Sequence, residues 1–188
     1  MYHIPEDRRA ARSAELILGG LLSIKGRTIA DITVTDIVKA AGVGRSTFYR
    51  LFDNSVDVLM WKSDEIMKSA LSASAEMSSF DEIFLSFISS WMEEKALLGA
   101  LVRSSLTDIL FEVHLAHIDE INTLFFRGAE LSPLQQEYLV TLLSAMMASG
   151  FRLWETRGFP SPEEMLSSFR EALFNLGIMF GAPPSLTH

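Results

Sequence analysis

The twenty residues 33–52, TVTDIVKAAGVGRSTFYRLF, constrain this chain more than any other stretch. Val34, Ile37, Val38 and Ala41 recur at helical spacing and make one apolar face of a short helix. Thr33 stands where an N-cap belongs, and Asp36 three residues on completes a capping-box pattern that sets where this helix starts. Gly42 can take the left-handed conformation that closes a helix, and Gly44 is acceptable as the next N-cap. The chain is therefore expected to turn there. A second helix over residues 45–51 sends Phe48 and Phe52 to one side and leaves Arg45, Ser46, Thr47, Tyr49 and Arg50 on its other faces.

Two short helices around a Gly-containing turn of three or four residues is the helix-turn-helix geometry, whose second helix enters the DNA major groove with its N-terminal residues nearest the bases. Arg45 and Arg50 offer guanidinium forks for guanine edges or phosphates. The hydroxyls of Thr33, Thr35, Ser46, Thr47 and Tyr49 can bond phosphates or base edges. The plainer alternative is a surface hairpin of helices whose polar side only meets water.

The run AAGVGRSTFYRLFDN, preceded by TVTDIV and followed by a long helical pattern, resembles the N-terminal domain of the TetR family of bacterial transcriptional repressors. Gly42, Val43, Thr47, Phe48, Tyr49 and Phe52 fall on that family's pattern. Gly44, Val38 and Ser55 depart from it, standing where the family usually has a serine N-cap, a small residue and a phosphate-binding lysine. The resemblance implies an all-α chain, with a three-helix DNA-binding domain over residues 1–53 and a helical effector-binding and dimerisation domain over 54–188. It implies a homodimer on a palindromic operator in double-stranded DNA, a transcriptional regulator of repressor type released by a small apolar or aromatic effector. Ser55 keeps an alternative open: a TetR-like adaptor that has lost specific DNA reading and acts through a protein partner.

Charge is distributed as a DNA-reading head would need. Residues 1–62 hold nine Lys+Arg against seven Asp+Glu, and residues 63–188 hold seven against seventeen, within a net charge of −8. A locally basic end can be steered to DNA while an acidic body stays clear of it. The hydrophobic content of 48% is ample for buried cores. The absence of cysteine excludes disulfides, thiolate metal sites and cysteine nucleophiles, and fits a reducing cytoplasm.

Ahead of residue 33, arginines precede an apolar run as in an export signal. That run is short, carries Glu15, ends at Lys25 and Arg27 and lacks a cleavage site, so export is not expected and a cytoplasmic location is. Leu16, Ile17, Leu21 and Ile24 instead make one face of a first helix from about residue 6 to 25, stopped by Gly26, with Arg8, Arg9 and Arg12 as candidate phosphate contacts. From Asn54, with Asp57 as a second capping-box pair, a long helix to about residue 77 would leave the head and enter the body.

The remainder reads as helices over residues 80–98, 101–117, a short piece through 126, 133–157 and 161–181, with no strand signal. Phe84, Phe87, Trp91, Leu110, Phe125 and Met146 crowd this body. Such stripes mostly build core, but their number suggests a cavity for an apolar or aromatic ligand, its polar end anchored by Arg103 or His114. His114 and His117 stand three apart without a further ligand, so neither a metal nor a cofactor is expected.

Leu142, Ala145, Ser149 and Leu153 line one of the last two helices, and Phe169, Leu173, Leu176 and Phe180 the other. Paired with a second copy they would form a four-helix interface, with Ala148 and Gly150 also allowing close approach. VTLLSAMMASGF is well short of the roughly 20 apolar residues of a membrane span. Enzymatic motifs are missing: there is no GxSxG and no Walker A sequence, and Gly42-Val43-Gly44 follows a helix rather than a strand. The chain is therefore not expected to be an enzyme.

Overall fold

Asp7 starts the first helix, α1 (Arg8–Ser23), because its carboxylate accepts the otherwise unbonded N–H groups of Arg9 and Ala10 at 2.8 and 2.7 Å. The computed structural model describes residues 2–5, 7–126, 128, 130–158 and 160–179. Within them every regular element is helical, apart from one isolated antiparallel bridge between Tyr2 and Phe52. The buried face of α1 is Ala10, Ala14, Ile17, Leu18 and Leu21. Leu16, expected on that face, is 47% exposed.

A short 3-10 turn, Ile29–Asp31, leads to α2 (Val34–Ala41). The expected capping box is present: Thr33 Oγ1 accepts the Asp36 N–H at 3.2 Å, and Asp36 Oδ2 accepts the Thr33 N–H at 3.1 Å. Gly42 closes the helix at φ 66° and Gly44 opens α3 (Arg45–Leu51). A side chain at Gly42 would be strained, since only glycine enters this region without penalty.

Asn54 caps α4 (Ser55–Ser74) by accepting the N–H groups of Val56 and Asp57 at 2.8 and 3.0 Å. The second capping box takes a different form: Asp57 accepts the Asp53 N–H at 3.0 Å, one residue earlier than a box would use. There follow α5 (Phe80–Glu93), α6 (Lys95–Arg103), α7 (Asp108–Ala116), α8 (Ile118–Phe125), α9 (Pro133–Thr156) and α10 (Pro162–Met179). Two of the long expected helices are broken. One stops at Glu94, and the other is interrupted where Ser105 takes φ 56°, a left-handed conformation that ends helical pairing. The last two helices start on capping boxes, Ser132 with Gln135 and Ser161 with Glu164.

α1 lies across α2 and also touches α3 and α4. α4 then packs on α5, α7 and α8, while α9 closes on α6, α7 and α8, and α10 on α5. The buried apolar residues form one continuous cluster from Ala10 to Leu166. Its largest members, among them Phe48, Phe52, Phe87, Trp91, Phe151 and Trp154, each contribute on the order of 1.5–3 kcal/mol by leaving water. Phe52 and Trp61, with ring centres 5.9 Å apart, carry the cluster from the end of α3 into α4. Among the described residues no helix is long and apolar enough to cross a membrane.

Candidate functional site

The two faces of α3 are sharply different. Phe48 and Leu51 are fully buried, as is Phe52 at its end, and they hold the helix against the rest of the chain. Arg45, Ser46, Tyr49 and Arg50 are exposed and Thr47 is half-buried. The Arg45 guanidinium lies 6.0 Å from the Tyr49 ring centre, and its Nη1 is 3.5 Å from the hydroxyl of exposed Thr35. The first turn of α2 and the exposed side of α3 thus bring Thr35, Arg45 and Tyr49 into one group. Tyr49 is itself steadied edge-on by Phe48, ring centres 5.5 Å apart.

Thr33 behaves differently from the other predicted contacts. Its hydroxyl donates to Asp36 Oδ2 at 2.8 Å besides accepting the Asp36 N–H, so it is engaged in the cap. The Thr33 bonds, and then Arg27 at 2.9 Å, hold the Asp36 carboxyl below the usual carboxylate range. Its charge is thereby matched by Arg27, which also donates to the Asp31 carbonyl. Arg8, Arg9 and Arg12 are exposed on α1. The surface offers guanidinium forks, hydroxyls and a phenol, all suited to phosphate oxygens and base edges.

Among the predicted ligand residues, Phe84, Phe87, Trp91, Leu110 and His114 are each at most 2% exposed, and Phe125 and Met146 are half-buried. The aromatic groups fill the space between them with one another. Phe87 meets Phe125 at 5.2 Å, Phe84 meets Phe169 at 5.3 Å and Trp91 meets Phe151 at 5.9 Å between ring centres. Arg103 does not join them; it is exposed, and its guanidinium donates to Glu155 Oε1 at 2.6 Å.

His114 donates its Nδ1–H to the Leu110 carbonyl, and burial pushes its pKa down to about 4, so the ring is neutral at pH 7. Its Nε2 has no partner among the described residues, and neither has Trp91 Nε1. His117 takes another direction, donating from Nε2 to Asp64 Oδ1 at 2.7 Å. Among the described residues no three His, Asp or Glu side chains stand together as a metal would require.

Two half-open crevices lie elsewhere, and none of the eight predicted ligand residues lines either. One of about 350 Å³ is bordered by Asp119, Asn122, Phe126 and Gln136. The other, about 410 Å³, lies between Leu71, Ser72 and Ala75 at the C-terminal end of α4 and Glu120, Thr123 and Leu124 of α8. Asn122, whose side-chain amide has no partner among the described residues, borders the first crevice and stands out in the sequence as a polar residue on the buried face of α8.

On the last two helices, Leu142, Ser149, Leu153, Leu173 and Leu176 are exposed, Leu142 and Leu153 each by 58%, while Ala145 is half-buried. Tyr138, Phe174 and Ile178 extend this apolar surface. Phe169 is half-buried against Phe84 of its own chain. Ala148 and Gly150, expected to let a second copy approach, serve internal packing instead. Ala148 is buried, and a β-carbon at Gly150 would lie 2.6 Å from Met165 Cε and 2.7 Å from Phe169 Cζ. Phe180 lies outside the described residues.

Fold and surface together define an all-helical protein that presents a short helix with one buried aromatic face and one exposed cationic and hydroxyl-rich face. No protein-family model matches the chain, and no curated protein matches it.

Proposed function

We propose that the chain is a sequence-specific, DNA-binding transcriptional regulator organised like the TetR-family proteins it resembles, with residues 1–53 as head and 54–188 as body. The observation that carries this reading is the grouping of Thr35 in the first turn of α2 with Arg45 and, one turn further along α3, Tyr49, on the exposed side of two helices joined by the turn at Gly42. In this reading α2 and α3 form a helix-turn-helix. α3 enters the major groove, Arg45 reads a guanine edge, and Ser46, Thr47, Tyr49 and Arg50 bond bases or phosphates.

The apolar surface of Leu142, Leu153, Leu173 and Leu176 supports pairing of two copies through α9 and α10 about a two-fold axis. Two α3 helices would then face successive major grooves, about 34–36 Å apart, on a palindromic operator. A small apolar or aromatic effector would act in the body. The unpartnered His114 Nε2 and Trp91 Nε1 support this, because a buried polar atom without a partner costs about 1–3 kcal/mol that a hydrogen-bonding ligand could recover. As the aromatic residues are close-packed, the ligand must displace side chains to enter. It releases DNA only by favouring a DNA-incompetent arrangement over the competent one. The regulator would work in the cytoplasm without cofactor or metal.

Selection of bound sequences from a random duplex pool, at near-physiological salt, tests the reading. Enrichment of a palindrome bound by one or two dimers supports it. Failure of a folded, dimeric protein to enrich any sequence sinks it in favour of the partner-binding adaptor, which Ser55 at the first position of α4 would suit.

A further inference from the structure

Asp64 sits in the middle of α4 and is only 8% exposed, an expensive place for a carboxylate unless it is well bonded. Three donors meet it. Tyr2 donates its hydroxyl to Oδ2 at 2.6 Å, Lys68 donates to the same oxygen at 2.7 Å, and His117 donates to Oδ1 at 2.7 Å. Lys68 comes from the next turn of α4, but Tyr2 and His117 lie 62 and 53 residues away along the chain.

Each distant donor belongs to a strategic segment. Tyr2 pairs with Phe52 in the isolated bridge, and the His3 N–H donates to the Leu51 carbonyl at 2.8 Å, so the segment 2–5 is laced to the C-terminal end of α3. His117 is the corner between α7 and α8, closing one and opening the other. The crevice between α4 and α8 begins two residues beyond that corner, at Asp119 and Glu120. A single carboxylate therefore touches the tether of α3 and the hinge of the body.

We propose that Asp64 is a three-way joint that transmits displacement of the α7–α8 corner to the end of α3 through the Tyr2 tether. The physical basis is competition for the carboxylate. Lys68 is half exposed and draws Asp64 outward, where water would solvate the charge. His117 and Tyr2 hold it inward. Burial alone would raise the Asp64 carboxyl, but the bonds from Lys68, Tyr2 and His117 outweigh it and hold the group below the usual range. When His117 leaves, the Asp64–Lys68 pair turns toward solvent, Tyr2 loses its acceptor in a partly buried site, and the segment 2–5 loosens from α3. By linkage, loosening Tyr2 must loosen the corner to the same degree.

Amide hydrogen exchange by NMR tests the joint without any DNA, so its outcome is separate from that of the operator selection. His117→Leu, which keeps bulk at the corner but carries no donor, should speed exchange of the His3 amide about tenfold, the size of one hydrogen bond to a charged group. Tyr2→Phe removes only a hydroxyl from the leading segment and leaves the folded core intact. It should speed exchange at the amides of His117 and Ile121 in turn. The double variant should add little beyond either single one, because both act through one carboxylate. Glu120→Gln, whose residue lies 3.6 Å from the other nitrogen of His117, should leave His3 unchanged. Effects confined to residues 2–5 for Tyr2→Phe and to α7 and α8 for His117→Leu would overturn the proposal, as would strictly multiplicative effects in the double variant.

Discussion

A β-carbon at Gly20 would stand 2.7 Å from both the Cβ and the backbone nitrogen of Ala41, so α1 and α2 cross with no room for a side chain between them. The obstacle is backbone, which cannot swing aside as a flexible side chain could. Gly20→Ala should therefore destabilise the protein by roughly 1–3 kcal/mol, through overpacking. Gly19, one residue earlier, has nothing within 4 Å of its hypothetical β-carbon. Gly19→Ala should be neutral or stabilising by about 0.5–1 kcal/mol, from helix propensity alone. Urea unfolding of both variants checks the pair; equal midpoints would contradict the close crossing.

Arg45→Ala should lower operator affinity by about 1–3 kcal/mol if the guanidinium reads a base, and Tyr49→Phe by less. Both side chains are exposed, so the melting temperature should barely move. Fluorescence anisotropy on the selected duplex measures the first and calorimetry the second. Binding indistinguishable from wild type for both variants would remove these residues from the interface.

His114 makes stability depend on pH. Its folded pKa, about 4, lies below the ordinary histidine value near 6.5, so the neutral ring is favoured on folding. That contribution is fully present above about 6.5 and is lost as pH falls toward 4, a slope summing to roughly 3 kcal/mol. Asp64 and Asp36, both held below the usual carboxylate range, contribute stability that begins to fall only below the unfolded carboxylate value near 4. Chemical denaturation of wild type and His114→Gln between pH 7 and 4.5 separates the two windows. The wild type should weaken over that range, and the variant should be nearly flat.

Leu142→Glu and Leu153→Glu place charges on the exposed apolar side of α9. Each should convert a dimer to monomer in analytical ultracentrifugation while the helical circular dichroism stays unchanged. A dimer that survives both substitutions must form through another surface.

Short-range chemistry is legible in the sequence by itself. The Thr33–Asp36 box, the left-handed Gly42 and the Asn54 cap each involve groups within four residues, so a sequence window contains all the atoms that decide them. The opposite faces of α3 follow from the helical period for the same reason. Tertiary contacts decided the rest. Periodicity marks Leu16 as a candidate core residue, but the position of α2 on α1 leaves it in water and turns Gly20 inward. Small residues on α9 signal a close approach without saying to what; Gly150 meets α10 of its own chain. Arg103 could have anchored a ligand or paired with an acid, and only the folded chain brings it to Glu155, 52 residues on. Asp64 looks like an ordinary polar residue in its helix, and its meeting with Tyr2 and His117 depends on long-range packing that no local pattern encodes.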